Sequence, residues 1–357
     1  MISQLQIRKL NDLISDINTE KHYWFFRSMG GAYYSDFVNE GYIAIGYDEI
    51  GMKDLKDLPQ KEQEARELIK LRIKQKGRDL TPKQIAKAAG QIVKFYRSVN
   101  IGDYVIVPNY LSRIFAIGVV QSDMYEDSSK HDEGKCPFVK RRKVRWIKTV
   151  ERGQLDPKLL LVLGNQQTMS SIDEYSGYID RKINELYTKG DKTYLILRVN
   201  QDASLSWDDF YFIADLGELF KYVSQQGGID ADLTQIEMKI NVQSPGDILL
   251  VADGGSAYLL LFALMALLCL IPGGKVKIWK MEFESKGLGE LANQIINAVN
   301  SFLSARQDRA IRLKERAKNL QIEQLEEEQI MNGETGNETK ALPSALHETG
   351  SDSEQTE

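Results

Sequence analysis

The sequence predicts an α+β protein of two domains, with a long helix and an acidic tail after the second. Three observations lead there. A chain of 357 residues is long enough for two ordinary domains. Its apolar residues fall into strand-length runs broken by Gly and Pro, interleaved with stretches of helical spacing. Its charge divides along the chain: residues 1–165 hold 28 Lys and Arg against 21 Asp and Glu, and the remainder 18 against 30. A basic first half suits an anionic partner. A hydrophobic share of 42% with 27% charged residues fits packed domains and argues against a chain disordered throughout. Cys136 and Cys269 match no disulfide framework or metal spacing, which fits a reducing compartment. Residues 1–25 carry Arg8, Lys9, Asp12 and Asp16 and lack the apolar core of a signal peptide, so a cytoplasmic location is expected.

Residues 1–19 read as an amphipathic N-terminal helix, with Leu5, Ile7, Leu10, Leu13, Ile14 and Ile17 at helical spacing. The first domain is expected over 20–172. His22–Arg27 reads as a buried strand, Ser28–Gly31 as a tight loop and Tyr42–Tyr47 as a second strand. A charged helical insertion occupies 59–98; its second helix opens at Thr81-Pro82, an N-cap followed by proline at the first helical position. Strands resume at Gly102–Val107, Arg113–Gln121 and Val139–Thr149, with a polar loop over 122–137. Leu163–Ile172 closes a small, mostly β domain.

The second domain is expected over 173–304. Lys192–Asn200, Thr234–Val242, Asp247–Val251 and Lys275–Phe283 read as strands, with a helix over Trp207–Gln225 and an apolar helix over 257–271. That order resembles a ferredoxin-like βαββαβ domain with a long C-terminal helix. A charged helix continues over 305–331. Residues 332–357 are polar, acidic and nearly free of large apolar groups, so they are expected to be disordered.

The densest functional signal is aromatic and basic. Tyr23-Trp24-Phe25-Phe26 is followed by Tyr33, Tyr34, Phe37, Tyr42 and Tyr47, with Arg27, Ser28, Gly30 and Gly31 between them. A second block runs Lys140-Arg141-Arg142-Lys143-Val144-Arg145-Trp146. Rings beside cations are what base stacking and phosphate contact require, although rings alone also build a β core. The segments WFFRSMGGAYYSDFVNEGYIAIGY, GDYVIVP, IFAIGVVQ, KVRWIK and LGNQQT resemble the PUA/EVE-like small β-barrel domains at the N-termini of Mrr-type restriction proteins, over about 20–172. The resemblance implies recognition of a flipped or modified base, with Trp24, Arg27, Ser28, Gly30, Gly31, Tyr47 and Trp146 lining the pocket. Lys140, Arg141, Arg142, Lys143 and Arg145 would form a nucleic-acid-binding edge. The usual Ile-Gly-Trp of the pattern is Ile45-Gly46-Tyr47 here, a smaller platform with a hydroxyl.

No catalytic constellation is visible. His22, His131 and His347 share no metal-ligand spacing with one another or with the cysteines, so neither a metal nor another cofactor is expected. Phosphate-binding G-x-x-x-x-G-K-[S/T] and G-x-G-x-x-G patterns are absent. Asp247 with Glu282-x-Glu284 lacks the lysine of a nuclease site. Asp253-Gly254-Gly255-Ser256 is read as a glycine turn with a helix N-cap in preference to a phosphate site. The run Ala257–Ile271 is continuously apolar, but as a helix it measures about 22 Å, short of the ~30 Å hydrocarbon core. A buried core helix is the favoured reading; a segment that inserts in the inner membrane is the rival. The expected function is therefore recognition of nucleic acid or a nucleotide, not catalysis, in a restriction-like defence setting. The alternative is a membrane-acting effector, and the C-terminal helix offers a surface for homo-oligomerisation.

Overall fold

Two sheets organise the chain. The computed structural model describes residues 14–76, 80–127, 134–199, 207–226, 236–240, 246–253, 260, 296–302 and 304. One compact unit comprises His22–Arg152 with Val162–Ile172; the other takes the described residues before His22, Gly153–Leu161 and those from Asp173 onward.

Ser15–Asp16 forms β1, which belongs to the second unit. The first unit opens with β2 (Tyr23–Phe26), followed by α1 (Tyr34–Glu40) and β3 (Tyr42–Ile45). Helices α2 (Lys53–Lys56), α3 (Glu62–Gln75) and α4 (Pro82–Arg97) come next. Strands β4 (Tyr104–Pro108), β5 (Ile114–Val120), β6 (Tyr125–Glu126), β7 (Lys140–Glu151) and β8 (Met169–Ser171) complete it. The sheet runs β3-β7-β5-β4-β2-β8 with β6 beside β7, and curls into a half-barrel. Only β2 and β4 pair in parallel among these strands. A parallel pair needs a long crossover, and this one carries all four helices and β3.

The helices of that crossover supply a large part of the core. Ala65, Ile69 and Ile73 recur every four residues along α3, so they share one face. They join Ile85, Ala88, Ala89, Ile92 and Val93 of α4 against Trp24, Phe26, Val105, Val107 and Val144 of the sheet. The segment 59–98 is thus a structural layer of the unit. Helix α4 begins with a complete capping box, Thr81 and Gln84 each accepting from the other's backbone N–H. Buried Asp103, in the turn before β4, accepts from His22 N, Asn100 N and Trp24 Nε1 (3.1, 2.8 and 2.9 Å) and so ties β2 to β4.

In the second unit, α5 (Ser176–Ile183) leads to the hairpin β9 (Leu186–Lys189) and β10 (Lys192–Val199). Helix α6 (Trp207–Gln226), β11 (Ile236–Ile240) and β12 (Gly246–Asp253) follow. The sheet order is β1-β9-β10-β12-β11. The place beside β10 that a ferredoxin-like sheet would give to its last strand is taken by β9, in register from Leu186↔Leu195 to Lys189↔Lys192. The strand expected at 275–283 lies outside the described residues.

The expected N-terminal helix is corrected where it is described: residues 15–16 are a strand parallel to β9, and Ile17 N–H donates to Thr188 O at 2.8 Å. Ile17 packs with Tyr187, Ile196, Leu249 and Val251, so sheet pairing overrides local helical spacing. Of the apolar run 257–271 only Leu260 is described; it is helical and buried. Of the C-terminal helix, 296–302 and 304 are described and helical, with Val299 and Phe302 buried and the Phe302 ring 5.4 Å from Tyr222 of α6. The segments 305–331 and 332–357 lie outside the described residues. No helix among the described residues is long and apolar enough to cross a membrane.

Candidate functional site

The loop after β2 turns on an unusual backbone. Met29, Gly30 and Gly31 all have positive φ (55°, 68° and 100°). The loop between β4 and β5 does the same at Leu111 and Ser112 (59° and 53°). L-residues with side chains sit there at a cost of roughly 1–2 kcal/mol each. Asn109 offsets that cost: its side-chain carbonyl accepts from Arg113 N and Ile114 N, both at 2.9 Å, and fixes the turn.

These two loops face each other across a cleft of about 220 Å³. Its walls are Arg27, Ser28, Gly30 and Gly31 on one side and Pro108 to Ser112 on the other. Three large apolar side chains from the same loops stand out in solvent: Met29 (66% exposed), Tyr110 (68%) and Leu111 (58%). Exposed apolar side chains and left-handed backbone therefore coincide at this cleft. Arg27 is held by two of its donors, Nε to Asn165 O (3.0 Å) and Nη2 to Leu163 O (2.6 Å), with its guanidinium over the Phe25 ring. Its Nη1 has no hydrogen-bond partner among the described residues. The 163–169 segment that receives Arg27 is also gripped by α4: Lys87 Nζ donates to Gln166 O, Gln91 Nε2 donates to Gln167, and Gln91 Oε1 accepts from Met169 N.

The cleft lining contains a cation, two hydroxyl-bearing serines and a phenol, and no carboxylate, imidazole or thiol. Such a wall can hold an anion and stack a ring; it has no acid–base pair of the usual kind. Exposed Arg113 follows Ser112 directly, and exposed Arg152 donates its backbone N–H to Arg113 O at 2.8 Å. The exposed acid nearest in sequence is Glu151, paired across the sheet with Ile114.

Of the seven residues expected to line one pocket, Arg27, Ser28, Gly30 and Gly31 meet at this cleft and three do not. Trp24 is buried in the core, its indole N–H bound to Asp103. Trp146 donates Nε1 to Phe37 O at 2.8 Å and lies over Gly118, where a Cβ would stand 2.7 Å from the indole. Tyr47 follows β3 beyond the Ile45↔Lys140 pair. Trp146 is six residues further along β7, about 20 Å by strand rise, so the two rings flank no common ligand.

The basic edge needs a larger correction. Lys140, Arg141 and Arg142 are buried. Arg142 donates Nε and Nη2 to Phe95 O (3.1 and 2.9 Å), Nη2 to Tyr96 O (3.0 Å) and Nη1 to Ser122 O (3.0 Å), which caps the C-terminus of α4. Burial lowers its pKa to about 10, still cationic at neutral pH. Arg141 binds Asp127, Phe138 O and Cys136 O and stacks on Tyr42. Lys140 binds Tyr47 O and Asp48, and burial lowers its ammonium pKa. Lys143 and Arg145 are exposed, but Arg145 pairs with Val119 at the far end of β5 from the cleft, about 17 Å away along the strand. What the sequence reading missed is Tyr110, whose only signal is an aromatic residue between Pro108-Asn109 and a serine turn.

The first unit is thus an α+β half-barrel with a two-loop cleft at one end of its sheet. Residues 27–175 match the family model of a domain of unknown function, DUF8426, a span that contains every residue of the cleft. No curated protein matches the chain.

Proposed function

We propose that this protein recognises nucleic acid or a nucleotide, and that the cleft between the 27–31 and 108–112 loops is where it does so. The observation that carries the reading is the exposed Tyr110 ring beside a partly committed Arg27 in a cleft without carboxylates. A base stacks on Tyr110, Arg27 meets its phosphate or its edge, and Arg113, Arg152 and Lys87 attract the flanking backbone. We read the half-barrel as PUA/EVE-like, on the resemblance of 20–172 to the N-terminal domains of Mrr-type restriction proteins. By the same resemblance the protein is a sensor in a restriction-like bacterial defence setting, with the second unit as its assembly or output element.

Binding isotherms test the reading directly. Single-stranded and double-stranded oligonucleotides, plain and base-modified, are titrated into the full chain at several salt concentrations. Affinity is expected to fall with salt, since phosphate contacts release counterions, and to favour strands whose bases are unpaired or easily flipped. No measurable binding of any of them at low salt would end the proposal.

A further inference from the structure

Two pairs of backbone amides at the cleft are unused. The N–H groups of Met29, Gly30, Tyr110 and Leu111 make no hydrogen bond to any described residue. Their neighbours are committed: Gly31 N donates to Ser28 O and Ser112 N to Asn109 O, each at 3.0–3.1 Å. Met29 and Gly30 are consecutive left-handed residues, and so are Leu111 and Ser112. Backbone N–H groups left without an acceptor can bind a phosphate oxygen. The two turns touch, since a Cβ on Gly31 would lie 2.3 Å from Tyr110 N, and Gly30, Tyr110 and Leu111 all line the cleft. Arg27 Nη1 and the buried Ser28 hydroxyl, which is 3.5 Å from Pro108 O, line the same space.

We infer that this cleft holds a terminal phosphomonoester, at a strand end or on a free nucleotide, between the amides of the two turns and the Arg27 guanidinium. An internal diester offers two unshared oxygens and carries chain on both sides. A monoester offers three and carries chain on one side, which suits a cleft lined by two loops and an arginine. The inference rests on the nucleic-acid reading above and adds the chemical form of the group bound.

The test compares one single-stranded oligonucleotide in three forms, 5′-phosphorylated, 3′-phosphorylated and hydroxyl-ended, with thymidine monophosphate and thymidine as competitors. The full chain is expected to bind one phosphorylated form at least tenfold more tightly than the hydroxyl-ended strand, and the monophosphate to compete where the nucleoside does not. Gly30→Asp probes the site itself. A Cβ there meets nothing within 4 Å, and Asp tolerates left-handed backbone, so the fold is retained while a carboxylate enters the cleft. Gly30→Asp is expected to abolish the phosphate preference, and Gly30→Asn to reduce it far less. Equal binding of all three forms would overturn the inference and leave the nucleic-acid reading standing. Equal losses in the two Gly30 variants would also overturn it, and no binding of any form would overturn both.

Discussion

Gly31 and Tyr110 meet backbone to backbone: a Cβ on Gly31 would stand 2.3 Å from the Tyr110 nitrogen and 2.5 Å from its Cα. Neither atom is a flexible side-chain end that could swing aside. Gly31→Ala therefore has to separate the two loops or strain them further at φ 100°. It is expected to destabilise the protein by about 2 kcal/mol or more and to weaken ligand binding. Gly30→Ala, one residue earlier and with open space around it, is expected to cost only about 1–2 kcal/mol for its left-handed backbone. Urea-unfolding midpoints of the two variants check the contrast.

The run of cations on β7 divides sharply between core and surface. Arg142→Ala removes the group that satisfies carbonyls of Phe95, Tyr96 and Ser122 in the interior. It is expected to cost about 3 kcal/mol or more, because buried acceptors are left unpaired. Lys143→Ala, one residue on and exposed, is expected to change stability by no more than about 0.5 kcal/mol. Thermal or urea unfolding measures both, and a stable Arg142→Ala protein would show that the helix cap is dispensable.

How much of this was legible in the sequence depends on the range of the forces involved. Thr81-Pro82 with Gln84 announces a helix start because capping acts over three residues. The strand-length apolar runs at β4, β5 and β10 are legible because they are short and bounded by turn residues. The fate of Lys140, Arg141 and Arg142 is not, because their acceptors include Asp48, Asp127 and the end of α4, 14 to 92 residues away in sequence. A basic strand reads as a nucleic-acid edge until the helix terminus beneath it is placed. Half of the proposed pocket was legible for a local reason: Ser28-Met29-Gly30-Gly31 carries its own turn chemistry. Tyr110 was not, since what makes it a candidate is exposure at a close approach of two distant loops.

A pH dependence follows from Asp54. Burial by itself would raise its carboxyl, but Lys76 Nζ at 2.7 Å and Gly51 N at 3.0 Å outweigh it and hold the pKa below the ordinary value. The folded state thus binds this proton less tightly than the unfolded state. Its stabilising contribution is present above the unfolded value of about 3.9 and is lost as pH falls through the lower folded value. Asp54→Asn is expected to be less stable than wild type at pH 7 and to converge with it as pH falls below the lowered folded value. Unfolding midpoints across that range decide it; a constant difference at all pH values would assign the effect to packing alone.

If the ligand stacks on Tyr110 in the two-loop cleft, truncating that ring weakens binding far more than truncating Tyr47 does. Dissociation constants for one single-stranded oligonucleotide are measured by fluorescence anisotropy at fixed low salt, for wild type, Tyr110→Ala and Tyr47→Ala. Tyr110 is 68% exposed, so its truncation leaves the core untouched. Tyr110→Ala is expected to weaken binding by about 1–3 kcal/mol, the usual worth of a base–aromatic stack, and Tyr47→Ala to weaken it far less. Wild-type affinity in Tyr110→Ala would contradict the account, and a loss confined to Tyr47→Ala would move the site to the other end of β3.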